Sequence, residues 1–151
     1  MAMRFLKDGP VRFGEELLHE VLVSDLELKN SVIDQIIHVL VRKGCIVEVD
    51  EMGVRLCLDE ALVNAIRHGN KRDPHKHVTV RLYSDGGMWA VEIEDEGDGF
   101  TSDDLPDPDD PESLYLEGGR GVLLINSYMD EVSYHRRGNV VVMKRRIRSI
   151  A

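Results

Sequence analysis

Apolar positions in the first half of the chain recur three or four residues apart, which is typical of helices with one buried face. The first such run consists of Leu28, Val32, Ile36, Val39 and Leu40. It predicts a helix over residues 24–43 that starts at a capping box of Ser24 and Glu27 and stops at Gly44. Residues 17–23 before it mix apolar and polar side chains as a strand does, and a helix there is the alternative.

A second helix is predicted from about Asp50 to His68, with Gly69 as its stop. Gly53 lies near the start of this helix. A glycine in a helix interior is less favourable than alanine by about 1 kcal/mol, so the first turn is the weakest part of the prediction.

The second half of the chain alternates apolar and polar residues, which is typical of strands. Residues 77–84 and 88–94 predict one hairpin, and residues 131–137 and 140–148 predict another whose last arginines, Arg145, Arg146 and Arg148, are expected to be solvated. Residues 120–129 predict a short helix before the second hairpin. The order β-α-α-β-β-loop-α-β-β predicts an α+β sandwich, a mixed and mostly antiparallel sheet covered on one face by about three helices.

Composition limits the class of protein. The 151 residues are expected to form one domain with a loose N-terminus over residues 1–10. Nineteen Lys and Arg against 28 Asp and Glu give a formal charge of −9, so direct binding of nucleic acid, which needs a basic surface, is not expected. The N-terminus has no signal-peptide core, no apolar run approaches the about 20 residues of a membrane span, and two cysteines are too few for a disulfide framework. A cytoplasmic protein without membrane contact is expected.

Three polar residues on the second predicted helix follow one another at four-residue steps: Glu60, Asn64 and His68. Residues at this spacing share one side of a helix. They border the predicted buried stripe, beside the small side chains of Ala61 and Ala65. Periodicity leaves two interpretations open, a row of ligands and a partly exposed polar row.

Two glycine-rich motifs lie at the ends of predicted elements. DxGxG at residues 95–99 follows a strand, and GRG at residues 119–121 opens a helix. Alone, the first is no more specific than an acidic turn and the second no more specific than a hinge, although backbone N–H groups at a helix start also bind anions. The GxxxxGK[ST] phosphate loop is absent from the sequence.

In this order, the segment DEALVNAIRHGN at residues 59–70, the DxGxG motif and the GRGV segment resemble the histidine-kinase-like ATPase superfamily, the group that includes the gyrase ATPase domain. Within it, the closest resemblance is to the anti-sigma-factor serine kinases, on EALVNAIRHGN and GRGVLLINSYMDEV. The resemblance covers residues 15–147 and implies the Bergerat ATP-binding fold.

The resemblance implies a role for each matching residue. Glu60 takes the position of the catalytic base and Asn64 that of the Mg²⁺ ligand in a site for ATP. Asp95 takes the position that accepts a hydrogen bond from the adenine amino group. His68 is assigned to the same site, with a structural hydrogen bond at the helix end as the alternative. The remaining nucleotide-binding positions are Gly97, Gly99, Gly119, Arg120, Gly121 and Val122.

Residues 101–118 match the ATP lid, and they are more acidic than family lids, so their carboxylates are expected to point outward or to face a partner. The implied function is a Mg-ATP-dependent serine/threonine kinase that phosphorylates an anti-anti-sigma protein and sequesters a sigma factor. The alternative is a binding-only regulator that uses nucleotide as a conformational signal. A histidine-kinase catalytic fragment is less favoured, because no phosphoacceptor helix precedes the domain. Dimerisation is common in the family, and a homodimer is therefore one expectation.

Overall fold

A computed structural model describes residues 3–10, 12–99 and 119–147. Six strands form one sheet in the order β1-β5-β6-β4-β3-β2. Only β1 and β5 pair in parallel among these strands, and every other neighbouring pair is antiparallel. The strands are β1 Met3–Leu6, β2 Glu15–Val23, β3 His77–Ser84, β4 Met88–Glu94, β5 Glu131–His135 and β6 Val140–Arg146.

Three helices cover one face of this sheet. They are α1 Lys29–Arg42, α2 Glu51–Val63 and α3 Gly119–Tyr128. Short 3₁₀ turns at Leu26–Leu28 and Glu48–Asp50 lead into α1 and α2, and a π-helical turn at Asn64–Gly69 extends α2. The predicted α+β sandwich with a mostly antiparallel sheet is confirmed. Among the described residues, no helix is long and apolar enough to cross a membrane.

The main core lies between the helices and the sheet. Along β4, Trp89, Val91 and Ile93 are at most 1% exposed and belong to this core. Helical residues at the predicted spacing pack against them, and the fully buried ones include Ile36, Leu40, Leu58, Leu62 and Ile66. Residues 17–23 lie in β2, so the strand interpretation is right and the helix alternative is wrong.

The N-terminus differs from its predicted loose conformation, because Met3–Leu6 forms β1 at one edge of the sheet. This strand pairs with β5, and the ring of Phe5 stacks on that of Tyr134 with centroids 5.1 Å apart. The following segment then crosses the sheet face that carries no helices. Arg12 reaches Glu92 at 3.3 Å there, and the Asp8 carbonyl lies 3.2 Å from His135 Nδ1.

Two local predictions in the helical half are also corrected. Asp25, one residue later than the predicted Ser24, provides the cap by accepting a 2.9 Å hydrogen bond from the Glu27 amide. The Ser24 hydroxyl instead donates to the carbonyl of Lys76, so it connects the start of the helical layer to the loop before β3.

Arg145 packs against the helices and is largely shielded from solvent, contrary to the prediction of a solvated strand end. Its side chain is 12% exposed, and its guanidinium lies 3.1 Å from Asp50 Oδ1 and 4.0 Å above the ring of Tyr128. The Tyr128 hydroxyl donates to the Asp50 carbonyl at 3.1 Å. A Cβ built on Gly53 would overlap the Tyr128 ring, so the glycine inside α2 allows α3 to pack closely.

Candidate functional site

The polar row on α2 changes conformation in its middle. Glu60 lies in the regular helix, whereas Asn64 and His68 belong to the π-helical turn. A π turn closes its hydrogen bonds over five residues, as the bond from the Asn70 amide to the Ala65 carbonyl at 2.8 Å shows. Glu60 and Asn64 are half-buried, and His68 is exposed.

The start of α3 packs directly against Glu60. A Cβ built on Gly121 would overlap Glu60 Oε2, so only a glycine lets the helix start approach this carboxylate without displacing it. The first amides of a helix have no partner within the helix and favour negative charge nearby. The structure thus brings Glu60 next to Gly121, the last residue of the GRG motif. Val122 follows in the same turn with 9% of its surface exposed.

The DxGxG loop after β4 packs against the end of the π turn. A Cβ on Gly97 would overlap the carbonyl oxygen of Gly69, and a Cβ on Gly69 would overlap the Asp95 carboxylate. Gly99 has a φ of +80°, and a Cβ there would overlap the carbonyl oxygen of Arg137. Close backbone contact therefore explains the glycines at residues 97 and 99, and contact with the Asp95 carboxylate explains the one at residue 69.

Asp95 is the described carboxylate whose electrostatics are most altered. Burial raises its pKa to about 6, and the hydrogen bond that its Oδ1 accepts from the Gly97 amide at 2.8 Å opposes part of that rise. A carboxylate held in such surroundings is a strong hydrogen-bond acceptor for a neutral donor such as an aromatic amino group.

The turn between β5 and β6 holds the DxGxG loop through hydrogen bonds. The sequence does not predict this contact. Asn139 Nδ2 donates to the Asp95 carbonyl at 2.8 Å, and the Asp95 amide donates to the Asn139 carbonyl at 2.9 Å. Arg137 Nε donates to the Gly97 carbonyl at 2.6 Å. The hairpin signal Gly138-Asn139 marks the turn, but nothing local in the sequence shows that its side chains reach residues 95–97.

The far end of α3 is fixed by a separate set of contacts. Tyr128, Asp50 and Arg145 join the last turn of α3 to the start of α2 and to β6. A hydrogen bond and a cation–π contact of Tyr128 hold this end of the helix, and the other end lies against Glu60.

The candidate site therefore has three described walls. They are α2 with Glu60 and Asn64, the loop with Asp95 and Gly97, and the first turn of α3 at Gly121. The side chain of Arg120 and the predicted lid at residues 101–118 lie outside the described residues.

The oxygen atoms of this site suit a hard cation whose remaining coordination positions are filled by oxygens of a bound ligand. Within the described ranges, no group of three or more His, Cys, Asp or Glu side chains is placed to hold a metal ion. Mg²⁺ commonly takes only one or two protein oxygens and fills its octahedron with water and phosphate oxygens. The half-buried amide of Asn64, one helical turn from Glu60, provides an oxygen of that kind.

This chain is similar in sequence to known proteins. Residues 22–145 match the family of the histidine kinase-like ATPase domain. The serine-protein kinase RsbW of Bacillus subtilis (strain 168) is 29% identical over 101 residues, which are 63% of this chain and 62% of that protein. The anti-sigma F factor of Geobacillus thermodenitrificans (strain NG80-2) is 30% identical over 105 residues, which are 66% of this chain and 72% of that protein.

The kinase RsbW of Staphylococcus aureus (strain JH9) is 27% identical over 96 residues, 58% of this chain and 60% of that protein. The matched part of this chain thus spans less than two thirds of either RsbW protein. The matched family covers most of the chain and includes α2, the DxGxG loop and the start of α3. The chain therefore belongs to the histidine kinase-like ATPase domain family, and within it is similar to the anti-sigma-factor serine kinases.

Proposed function

We propose that this protein is a Mg-ATP-dependent serine/threonine protein kinase of the anti-sigma-factor type. The observation that carries the proposal is the contact between Glu60 on α2 and the backbone of Gly121 at the start of α3. This contact places a carboxylate beside a helix N-terminus, where phosphate groups are favoured. Asp95, in the loop after β4, provides an acceptor suited to an adenine amino group.

In the proposed reaction, Glu60 acts as the base. The substrate hydroxyl oxygen forms a bond to the γ-phosphorus of ATP, the bond from that phosphorus to the bridging oxygen breaks, and ADP leaves. The hydroxyl proton moves to the Glu60 carboxylate. Most of the rate enhancement comes from positioning and charge neutralisation, as is usual for phosphoryl transfer.

Asn64 would hold Mg²⁺ through its amide oxygen, and the ion would neutralise the phosphate charge. Asp95 orients the adenine end of the nucleotide, with Gly97 and Gly99 forming the adjoining wall. The backbone of residues 119–122 contacts the phosphates. His68 is exposed near the end of the π-helical turn that begins at Asn64, so we assign it to the rim of the site.

The proposed partners follow from the similar proteins, whose names describe a serine-protein kinase and an anti-sigma F factor. We propose an anti-anti-sigma protein as the phosphate acceptor and a sigma factor as the sequestered partner. The activity would be cytoplasmic and carried out by a homodimer, and the charge of −9 argues against direct contact with nucleic acid.

Phosphate transfer from labelled ATP to a candidate anti-anti-sigma protein tests the kinase. Glu60→Gln should keep binding Mg-ATP and lose at least about 100-fold in transfer rate, since it lacks the base. Glu51→Gln, on the same helix but away from the site, is the matched control and should transfer at the wild-type rate. Equal rates in all three proteins would remove Glu60 from the mechanism.

A regulator without kinase activity is the competing function. It would be stabilised by Mg-ATP in a thermal-shift assay yet transfer no phosphate. A wild-type protein that neither ATP nor ADP stabilises would rule out both functions.

A further inference from the structure

Asn70 is a polar residue with no exposed surface, directly after the π turn. Its Nδ2 donates to Ser24 Oγ at 2.7 Å and to the His77 carbonyl at 2.9 Å. Its Oδ1 accepts the amide of Glu96 at 2.7 Å. One side chain thus connects the end of β2, the start of β3 and the DxGxG loop.

The backbone of Asn70 is fixed as well. Its amide donates to the Ala65 carbonyl and so closes the π turn, and its carbonyl accepts the amide of Asp73 at 3.0 Å. The side chain therefore projects from a backbone that is hydrogen-bonded on both sides. It holds its hydrogen-bond partners in fixed positions.

Asn70 contacts Glu96, which lies between Asp95 and Gly97, the two residues that form the adenine wall of the proposed site. Asn70 holds the amide of Glu96 from the helical side. From the β5–β6 turn, Asn139 holds the carbonyl of Asp95 and Arg137 holds that of Gly97. The Asp95–Glu96 peptide group is thus held on both sides and the Gly97–Asp98 peptide group on one, by side chains from two different elements.

The chemistry of the contacts selects asparagine. A side-chain amide offers two donors and one acceptor within the same planar group. The surroundings present two acceptors, Ser24 Oγ and the His77 carbonyl, and one donor, the Glu96 amide. An aspartate could not donate to the two acceptors, and it would bring a buried negative charge close to Asp95.

We propose that Asn70 is a positioning residue for nucleotide recognition, which sets the direction of the Asp95 carboxylate through the amide of Glu96. The inference rests on the proposed function, because it assigns Asn70 to the same ATP site. Asn70 is completely buried and acts without touching the nucleotide.

Comparison of Asn70→Ala with Ser24→Ala separates positioning from general stabilisation. Ser24→Ala removes one partner of Asn70 and leaves the bond to Glu96 in place, so it is the matched control. Urea unfolding should show that both variants are less stable than the wild type. In titration calorimetry, Asn70→Ala should bind Mg-ATP about fivefold more weakly or worse, and Ser24→Ala within about twofold of the wild type.

Two outcomes of the calorimetry would contradict the inference in different ways. If the wild type binds Mg-ATP and Asn70→Ala binds it equally well, Asn70 has only a structural role and the proposed function stands. If the wild type does not bind Mg-ATP, the proposed function fails and the inference fails with it.

Amide hydrogen exchange tests the inference in the wild-type protein, so the result does not depend on whether a variant folds. Without nucleotide, the Glu96 amide should exchange at least about 100-fold more slowly than the amide of exposed Asp98 in the same loop. Equal exchange rates at the two residues would show that Asn70 does not hold the loop, and would overturn the inference.

Discussion

The carboxylate of Glu60 lies directly against the backbone of Gly121, so the proposed base and the first turn of α3 form a single contact. A methyl group at residue 121 would take the place of Glu60 Oε2. The carboxylate is the flexible end of its side chain and can move away. Gly121→Ala should therefore unfold within about 1 kcal/mol of the wild type while losing about tenfold or more in phosphate transfer.

The control for this variant is Gly87→Ala in the β3–β4 turn. A Cβ at Gly87 would lie 3.5 Å from Asp85 Oδ1, which is an ordinary contact, and should leave transfer unchanged. Wild-type transfer rates in Gly121→Ala would show that the position of Glu60 against α3 has no importance for the reaction.

Asp95 should make stability depend on pH in a defined direction. Its pKa is about 6 in the folded protein against an ordinary value of 3.8. Between these pH values the folded state retains a proton that the unfolded chain has released. The stabilisation from Asp95 is therefore complete below about pH 4 and is lost as the pH rises through about 6.

The comparison with Asp95→Asn, which cannot titrate, isolates this effect. From pH 4 to pH 7.5, the wild type should lose on the order of 1–3 kcal/mol of unfolding free energy relative to the variant. Urea unfolding at several pH values measures the difference. Parallel curves for the two proteins would mean that the pKa of Asp95 is ordinary.

Asn64 should control the effect of magnesium on nucleotide binding. Asn64→Ala removes the amide oxygen, so added Mg²⁺ should improve ATP affinity far less than it does in the wild type. Calorimetry with and without EDTA measures the ratio of the two affinities. Asn30→Ala, on the exposed start of α1, is the control and should keep the wild-type ratio.

Gly53→Ala should destabilise the protein although alanine favours helix. The propensity gain is about 1 kcal/mol. It is outweighed because the added methyl would overlap the ring of Tyr128 and force α3 away from α2, which typically costs about 1–3 kcal/mol or more. Met52→Ala, at a neighbouring position that is 69% exposed, should change stability by less than about 0.5 kcal/mol. A Gly53→Ala variant more stable than the wild type would contradict this packing.

The fold was predictable where the sequence signal is local and periodic, and the candidate site only through the resemblance of its three motifs to a known family. Helical spacing identified buried residues such as Ile36 and Leu40, and alternation identified both hairpins. The contacts of Glu60 with α3 and of Gly97 with Gly69 join segments that the three motifs had already marked.

What the sequence did not predict depends on partners that are distant along the chain. Arg145 lies next to Arg146 in a basic stretch, which suggested that its side chain is exposed to solvent. The alternation of the strand instead turns it toward Asp50. Asn70 looks like the residue after a helix stop, whereas its partners come from β2, β3 and the loop after β4. Hydrogen-bond partners of this kind leave no periodic pattern in the sequence.

The parallel pairing of β1 with β5 has a consequence for the order of folding. β1 is the first of the six strands to leave the ribosome, yet its partner, Glu131–His135, is the fifth. Chain closure over such a long separation is slow compared with the formation of neighbouring hairpins. During synthesis, Phe5 and the strand around it remain without their sheet neighbour until nearly the whole domain has emerged, so the first strand made is among the last to pair.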